Sequence, residues 1–129
     1  MKIYAISDIH GHIEEFNKAL SYIDLDDKKY IRWMRSLRRF YNTGKQIYVH
    51  AGIDEEAEDL WECGTPDETF CEKGEATTGE FYMDIIAGHI GTSAISGKPD
   101  FHDVFYDGKS HYYIDGSVNI SGCLPNTHV

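Results

Sequence analysis

The chain has 129 residues, enough for one domain with a substantial buried core. It carries 22 acidic and 12 basic residues, and this net charge of −10 argues against nucleic acids and anionic membranes as partners, because both select clustered basic residues. No apolar stretch approaches the roughly 20 residues of a transmembrane helix, and the N-terminal apolar run is too short for a secretory signal. The three cysteines include no C-x-x-C pair. We therefore expect free thiols and a single cytoplasmic domain over residues 1–129.

The first third of the sequence predicts one strand and two helices. Residues 2–6 form a short apolar run that predicts a buried strand, and residues 13–23 carry apolar side chains at helical spacing. A charged hexapeptide, residues 24–29, leads into a second helical pattern over residues 30–41, which Gly44 would close as a C-terminal cap. The arginines of this second helix are expected to face solvent. A βαβ unit would place a parallel strand after the first helix, so two helices in succession are irregular.

The remainder predicts short strands joined by turns and loops. We expect strands at residues 46–49 (QIYV), 84–87 (DIIA) and 117–124, and a hairpin of residues 103–106 and 110–115 around an Asp-Gly-Lys turn. Residues 54–62 are acidic and weakly helical. Residues 64–79 are rich in threonine and glycine, which indicates a loop or lid.

Three of the predicted strands end in a metal-competent side chain close to a glycine. Asp8 and His10 follow the first strand, His50 the second and His89 the third. Functional sites in α/β proteins gather beyond the strand ends, and one carboxylate with several imidazoles suits manganese, iron or zinc. We therefore predict that these four residues form a metal site. Asp115 is interpreted as a turn residue, and the remaining histidines, His12, His102, His111 and His128, as solvated or structural.

These strand-end segments resemble motifs of the calcineurin-like metallophosphoesterases. Residues 7–12 (SDIHGH), 49–52 (VHAG) and 87–92 (AGHIGT) look like the first, fourth and fifth motifs of that family. Residues 113–117 (YIDGS) also resemble its bacterial serine/threonine protein phosphatase branch, which includes the phage λ type. The D-x-H-G motif is fairly specific, whereas the two histidine–glycine motifs gain specificity from their order and placement.

The resemblance implies a fold, a metal site and a reaction. The implied fold is α/β, with two mixed β-sheets packed as a sandwich flanked by helices. Asp8 and His10 would bind one divalent ion, and His50 and His89 a second, with manganese expected and iron or zinc as alternatives. Hydroxide activated by the two ions would attack a phosphomonoester in line. The implied substrates are phosphorylated proteins or small phosphoesters, toward which the ions would offset the negative charge of the protein.

Two motifs that the family carries between its first and fourth motifs are absent from this sequence. They are G-D-x-x-D-R-G, which supplies the bridging aspartate, and G-N-H-E, which supplies an asparagine ligand and the histidine thought to protonate the leaving group. The family's phosphate-binding arginines are absent with them, so no catalytic residue is assigned. Either a segment near residues 25–29 is missing from the sequence of an ordinary phosphatase, or the deletion is real. We favour the first explanation, because losing a central strand would expose unpaired sheet edges.

Three other interpretations remain open at this stage. A dinucleoside-polyphosphate hydrolase of the same fold would use the same metal ligands. A non-catalytic binding module would retain a partial site, with Asp8, His10, His50 and His89 converging on one ion. The third interpretation is a soluble α/β domain in which the histidines are coincidental.

Overall fold

A computed structural model of the protein describes Glu14, Ser21 and residues 36–74, 79–122 and 125. The chain divides into two units, Met1–Arg38 and Arg39–Val129. In the first unit, two residues of the predicted helix over 13–23 are described: Glu14 is helical and exposed, and Ser21 lies in a turn. The predicted strand at residues 2–6, most of the two predicted helices, and the candidate ligands Asp8 and His10 lie outside the described residues.

The second unit is built on a five-stranded mixed sheet. Its strands are β1 (Phe40–Asn42), β2 (Gln46–Val49), β3 (Asp84–Gly91), β4 (Phe105–Tyr106) and β5 (His111–Asp115), in the spatial order β1-β2-β3-β5-β4. The three central strands are parallel, and each outer strand runs antiparallel to its neighbour. The carboxyl ends of β2, β3 and β5 therefore lie at one edge of the sheet. This mixture of a sheet with helices confirms the predicted α/β class.

Short helices connect the strands. A 3-10 helix (Glu55–Leu60), α1 (Trp61–Gly64) and α2 (Asp67–Glu72) lie between β2 and β3, α3 (Thr92–Ser96) follows β3, and α4 (Val118–Ser121) follows β5. The 3-10 helix begins where the Asp54 side chain accepts a hydrogen bond from the Glu56 amide. Within the described part of the chain, no helix is both long and apolar enough to cross a bilayer.

The hydrophobic core lies between the sheet and the β2–β3 connection. Trp61 and Phe70 come from the connecting helices and are 1% and 4% exposed. The Phe40 ring centre lies 4.8 Å from that of Trp61, edge-on, and 5.4 Å from that of Phe70, stacked. Ile47, Ile53, Phe81, Met83 and Ile85 complete this buried cluster. Each large apolar side chain contributes about 1.5–3 kcal/mol when fully buried, so residues 51–74 are anchored on the sheet mainly by this packing.

The predicted helix over residues 30–41 is wrong at its C-terminal end. Phe40–Asn42 is a strand, with Phe40 packed against the core and Tyr41 exposed. Gly44 is not a helix cap, because it occupies the hairpin turn after β1 with φ +86°, where its amide donates to the Asn42 Oδ1. The adjacent aromatic residues Phe40 and Tyr41 are compatible with the last turn of a helix and also with a strand that places one on each face of a sheet. Pairing with β2 favours the strand.

Two further expectations are corrected, and three are confirmed. The predicted loop over residues 64–79 contains α2, which buries Phe70. The predicted last strand over residues 117–124 is wrong where α4 stands, and the apolar side chains of Val118 and Ile120 are exposed there. The strand at residues 46–49 and the hairpin around the Asp-Gly-Lys turn are confirmed. The predicted strand at residues 84–87 is also present and extends to Gly91.

Candidate metal centre

His50 and His89 meet at the carboxyl edge of the sheet. His50 directly follows β2, and His89 lies near the end of β3, the neighbouring parallel strand. Their ring centres are 4.9 Å apart at an interplanar angle of 62°. His50 is exposed and His89 is half-buried, so the pair faces accessible space. Two of the four predicted ligands are thus neighbours, as the order of parallel strands requires.

His89 occupies a strained position in an irregular part of β3. The register between β3 and β5 shifts between Ala87 and Gly91, and His89 lies within this shift with φ +69°. A side chain other than glycine in the left-handed region costs about 1–3 kcal/mol, and such strain clusters at functional sites. Irregularities of this kind redirect a side chain out of the regular alternation of a strand. Here the distortion accompanies the placement of the His89 ring beside that of His50.

Backbone hydrogen bonds fix the segment that carries His50. The His50 carbonyl accepts a hydrogen bond of 2.8 Å from the Gly88 amide, which ties it to the strand that carries His89. The next amide, that of Ala51, donates to the Phe70 carbonyl of α2 at 3.0 Å. Neither histidine therefore depends on a long unsupported loop for its position.

The end of β5 packs closely against the end of β3. Asp115 pairs with Gly91, and the Asp115 Oδ1 accepts a hydrogen bond of 2.8 Å from the Ser117 amide, which confirms its predicted role in a turn. A Cβ atom at Gly91 would lie 2.6 Å from the Ser117 Oγ. A side chain at Gly91 would require the Ser117 hydroxyl to move, so the ends of β3 and β5 are in close contact here.

The separation of the two histidine rings matches that expected around one divalent ion. Imidazole nitrogens bind zinc at about 2.0–2.1 Å, and adjacent rings holding one ion have centres roughly 5 Å apart, close to the separation found here. Among the described residues, no group of three or more His, Cys, Asp and Glu side chains is arranged to hold a metal. Asp8 and His10, the other predicted ligands, are not among those residues, so their part of the prediction stays a prediction. The described thiols, Cys63 and Cys71, are free and exposed, as expected.

A second polar cluster lies at the start of β5, and we call Glu55, Lys73, Asp107 and His111 the buried clasp. The His111 Nδ1 lies 2.7 Å from the Asp107 Oδ2, and its Nε2 lies 3.0 Å from the Glu55 Oε2. Lys73 donates from its Nζ to the Glu55 Oε1 at 2.8 Å. The side chains of Glu55 and His111 are 3% and 4% exposed. The clasp thus joins the β2–β3 connection to the β4–β5 hairpin through two buried side chains, Glu55 and His111, with Lys73 half-buried and Asp107 at the surface.

The surroundings of His111 favour its charged form. Burial lowers the pKa of His111, but the hydrogen bonds to Glu55 and Asp107 outweigh it and leave that pKa raised from its ordinary value. Burial acts to raise the pKa of Asp107, and hydrogen bonds from the His111 amide and ring and from the Lys109 amide leave it lowered overall. Ionised carboxylates only accept hydrogen bonds, so a ring with a carboxylate at each nitrogen is stabilised in its doubly protonated form.

The sequence did not reveal this cluster. His111 was expected to be solvated or structural, and it is structural. Glu55 belongs to an acidic segment typical of a solvated face, yet Glu55 itself is only 7% exposed. The one local signal was the spacing of Asp107 and His111, four residues apart across the predicted turn. Its partner Glu55 lies 56 residues away from His111 and could not be identified from spacing.

Comparison of the chain with protein-family profiles, with curated proteins and with solved structures found no match.

Proposed function

We propose that the protein is a metal-dependent phosphoesterase of the serine/threonine protein phosphatase type. The observation that carries this proposal is the 4.9 Å separation of the His50 and His89 rings at the ends of adjacent parallel strands. The order of the motifs around Asp8, His10, His50 and His89 supports the same activity. The proposal includes a second sheet packed on the described one, as the resemblance implies, and Asp8 and His10 as further ligands.

His50 and His89 would hold a divalent ion, for which manganese is the expected choice and iron or zinc the alternatives. Such ions, when bound, act as Lewis acids and make hydroxide available near neutral pH. The described residues hold the two imidazoles in place: the Gly88–His50 hydrogen bond joins the two strand ends, and the left-handed backbone at His89 redirects its ring. An anionic phosphomonoester would then meet positive charge at one point of an otherwise acidic protein.

The test is hydrolysis of an aryl phosphate by the full chain with and without Mn²⁺. We expect manganese-stimulated hydrolysis that falls more than ~10-fold in His50→Ala and His89→Ala, because each loses a metal ligand. His128→Ala is the matched control, because this histidine belongs to none of the strand-end segments, and it should retain activity. Hydrolysis that is absent from the intact chain, or that is independent of metal, would contradict the proposal.

A non-catalytic metal-binding module is the second candidate, and the absence of the G-D-x-x-D-R-G and G-N-H-E motifs favours it. It predicts one bound ion per chain without hydrolysis. The intact mass of the purified protein shows whether the chain consists of these 129 residues or carries an additional segment. A mass of 14.7 kDa corresponds to the 129 residues and would favour the module. A mass several kDa higher would place the missing motifs in an additional segment and favour the phosphatase.

Parallel assays with a dinucleoside polyphosphate would distinguish the phosphatase from a dinucleoside-polyphosphate hydrolase of the same fold.

A further inference from the structure

We propose that the buried clasp is a proton-controlled latch, in which a protonated His111 ring ties the start of the 3-10 helix to the β4–β5 hairpin and loss of that proton releases Glu55. The clasp brings together four segments of the second unit: Glu55 begins the 3-10 helix, Lys73 follows α2, Asp107 lies in the hairpin turn and His111 begins β5. This inference does not depend on metal binding or hydrolysis.

The charges of the closed latch balance only when the His111 ring is protonated. Two carboxylates, Glu55 and Asp107, then face two cations, His111 and Lys73. The titratable Tyr113 also packs beside His111, with ring centres 6.4 Å apart. A neutral ring has one N–H, so one carboxylate would face a nitrogen lone pair and the cluster would carry a net negative charge beside the buried Glu55 side chain.

The latch opens on the Glu55 side because Asp107 is held more firmly. The Asp107 Oδ1 accepts hydrogen bonds from the amides of Lys109, Ser110 and His111, at 2.8, 3.1 and 3.1 Å. Its Oδ2 also makes the shorter contact with the ring, 2.7 Å against 3.0 Å for Glu55. The remaining ring proton therefore stays with Asp107. Glu55 keeps its ion pair with Lys73, and the two would move away from His111 together.

The direction of the pH dependence follows from the raised pKa of His111. A group whose pKa is higher in the folded protein stabilises the fold fully at pH values below its unfolded pKa, near 6.5. That stabilisation is lost as the pH rises through the higher folded pKa. The latch is thus closed at pH values below 6.5 and opens as the pH rises through the raised pKa of His111.

The experiment combines an NMR titration of the His111 ring with amide hydrogen exchange in the full-length protein, corrected for the intrinsic pH dependence of exchange. We expect the ring to titrate with a midpoint above 6.5, and the protection of residues 53–57 to fall at least several-fold with the same midpoint. Glu55→Gln and Asp107→Asn should both lower the two midpoints together. Glu56→Gln, an exposed neighbour, is the matched control and should move neither midpoint.

Two results would overturn the latch. One is a His111 ring that titrates while the protection of residues 53–57 stays constant. The other is a loss of protection whose midpoint is unchanged in both Glu55→Gln and Asp107→Asn. The asparagine of Asp107→Asn can accept the turn hydrogen bonds of Asp107, and the glutamine of Glu55→Gln has the size of Glu55. If one variant folds poorly, the midpoints measured on the other still test the latch.

Discussion

The rings of His50 and His89 lie 4.9 Å apart, although 39 positions separate the two residues along the chain (89 − 50). Parallel pairing of β2 and β3 brings them together, and the hydrogen bond from the Gly88 amide to the His50 carbonyl fixes the two strand ends. The left-handed backbone at His89 is the strained element of this arrangement. Strain and proximity at one sheet edge together make this the best-supported candidate site among the described residues.

The backbone strain at His89 can be separated from the chemistry of its ring. Asparagine tolerates the left-handed region, so His89→Asn should leave the free energy of unfolding within about 0.5 kcal/mol of wild type. The β-branched His89→Val should destabilise the fold by a further ~1–3 kcal/mol. Urea unfolding of the two variants measures the difference. Equal stabilities would show that φ +69° at this position imposes no strain.

Gly52 makes room for the lysine of the buried clasp. A Cβ atom at Gly52 would lie 2.6 Å from the Lys73 Cδ and 3.2 Å from its Cβ, too close for rotation of the lysine end to relieve. We expect Gly52→Ala to cost about 1–3 kcal/mol of unfolding free energy through overpacking. The control is Gly74→Ala, where an added Cβ meets nothing within 4 Å, and its unfolding curve should match wild type. Similar curves for both variants would argue against this packing.

Trp61 anchors the β2–β3 connection on the sheet. It is 1% exposed and meets the Phe40 ring edge-on, so Trp61→Ala should destabilise the protein by about 3–5 kcal/mol. The adjacent Leu60 is 62% exposed, and Leu60→Ala should change stability by no more than ~0.5 kcal/mol. Chemical denaturation of both variants checks the contrast. A small effect at Trp61 would mean that this connection is not packed as described.

The hairpin between β1 and β2 depends on a left-handed turn at Gly44. Its φ is +86° and an added Cβ would meet nothing within 4 Å, so the cost of substitution is conformational rather than steric. Gly44→Ala should destabilise by about 1–2 kcal/mol, and Gly44→Asn by less, because asparagine enters this region more readily. Thermal unfolding of the two variants ranks them. The reverse order would show that the backbone at Gly44 is not left-handed.

The sequence predicted best those elements that are defined by neighbouring residues alone, namely short strands and tight turns. The strand Gln46–Val49 and the hairpin around Asp107-Gly108-Lys109 were predictable because short apolar runs bounded by turn residues have few alternatives. Phe40 and Val118 were misassigned because their patterns fit both helix and strand, and only the presence or absence of a neighbouring strand decides between them.

The candidate site was predictable in part for a related reason. His50 and His89 were identified because each comes after a short apolar run and stands close to a glycine, and parallel strand order brings them together. The clasp was not predictable, because the burial of Glu55 and its contact with His111 arise from packing between distant segments. Electrostatic pairs of this kind leave no periodic signal in a single sequence.

The central claim is that His50 and His89 share a divalent ion, and Mn²⁺ binding by the full chain tests it most directly. A titration followed by electron paramagnetic resonance, which reports free Mn²⁺, should show stoichiometric binding of at least one ion per chain. His50→Ala and His89→Ala should each weaken this binding more than ~10-fold, while His128→Ala should leave it unchanged. A chain that takes up no Mn²⁺ stoichiometrically, or that binds it equally well without either histidine, would contradict the account.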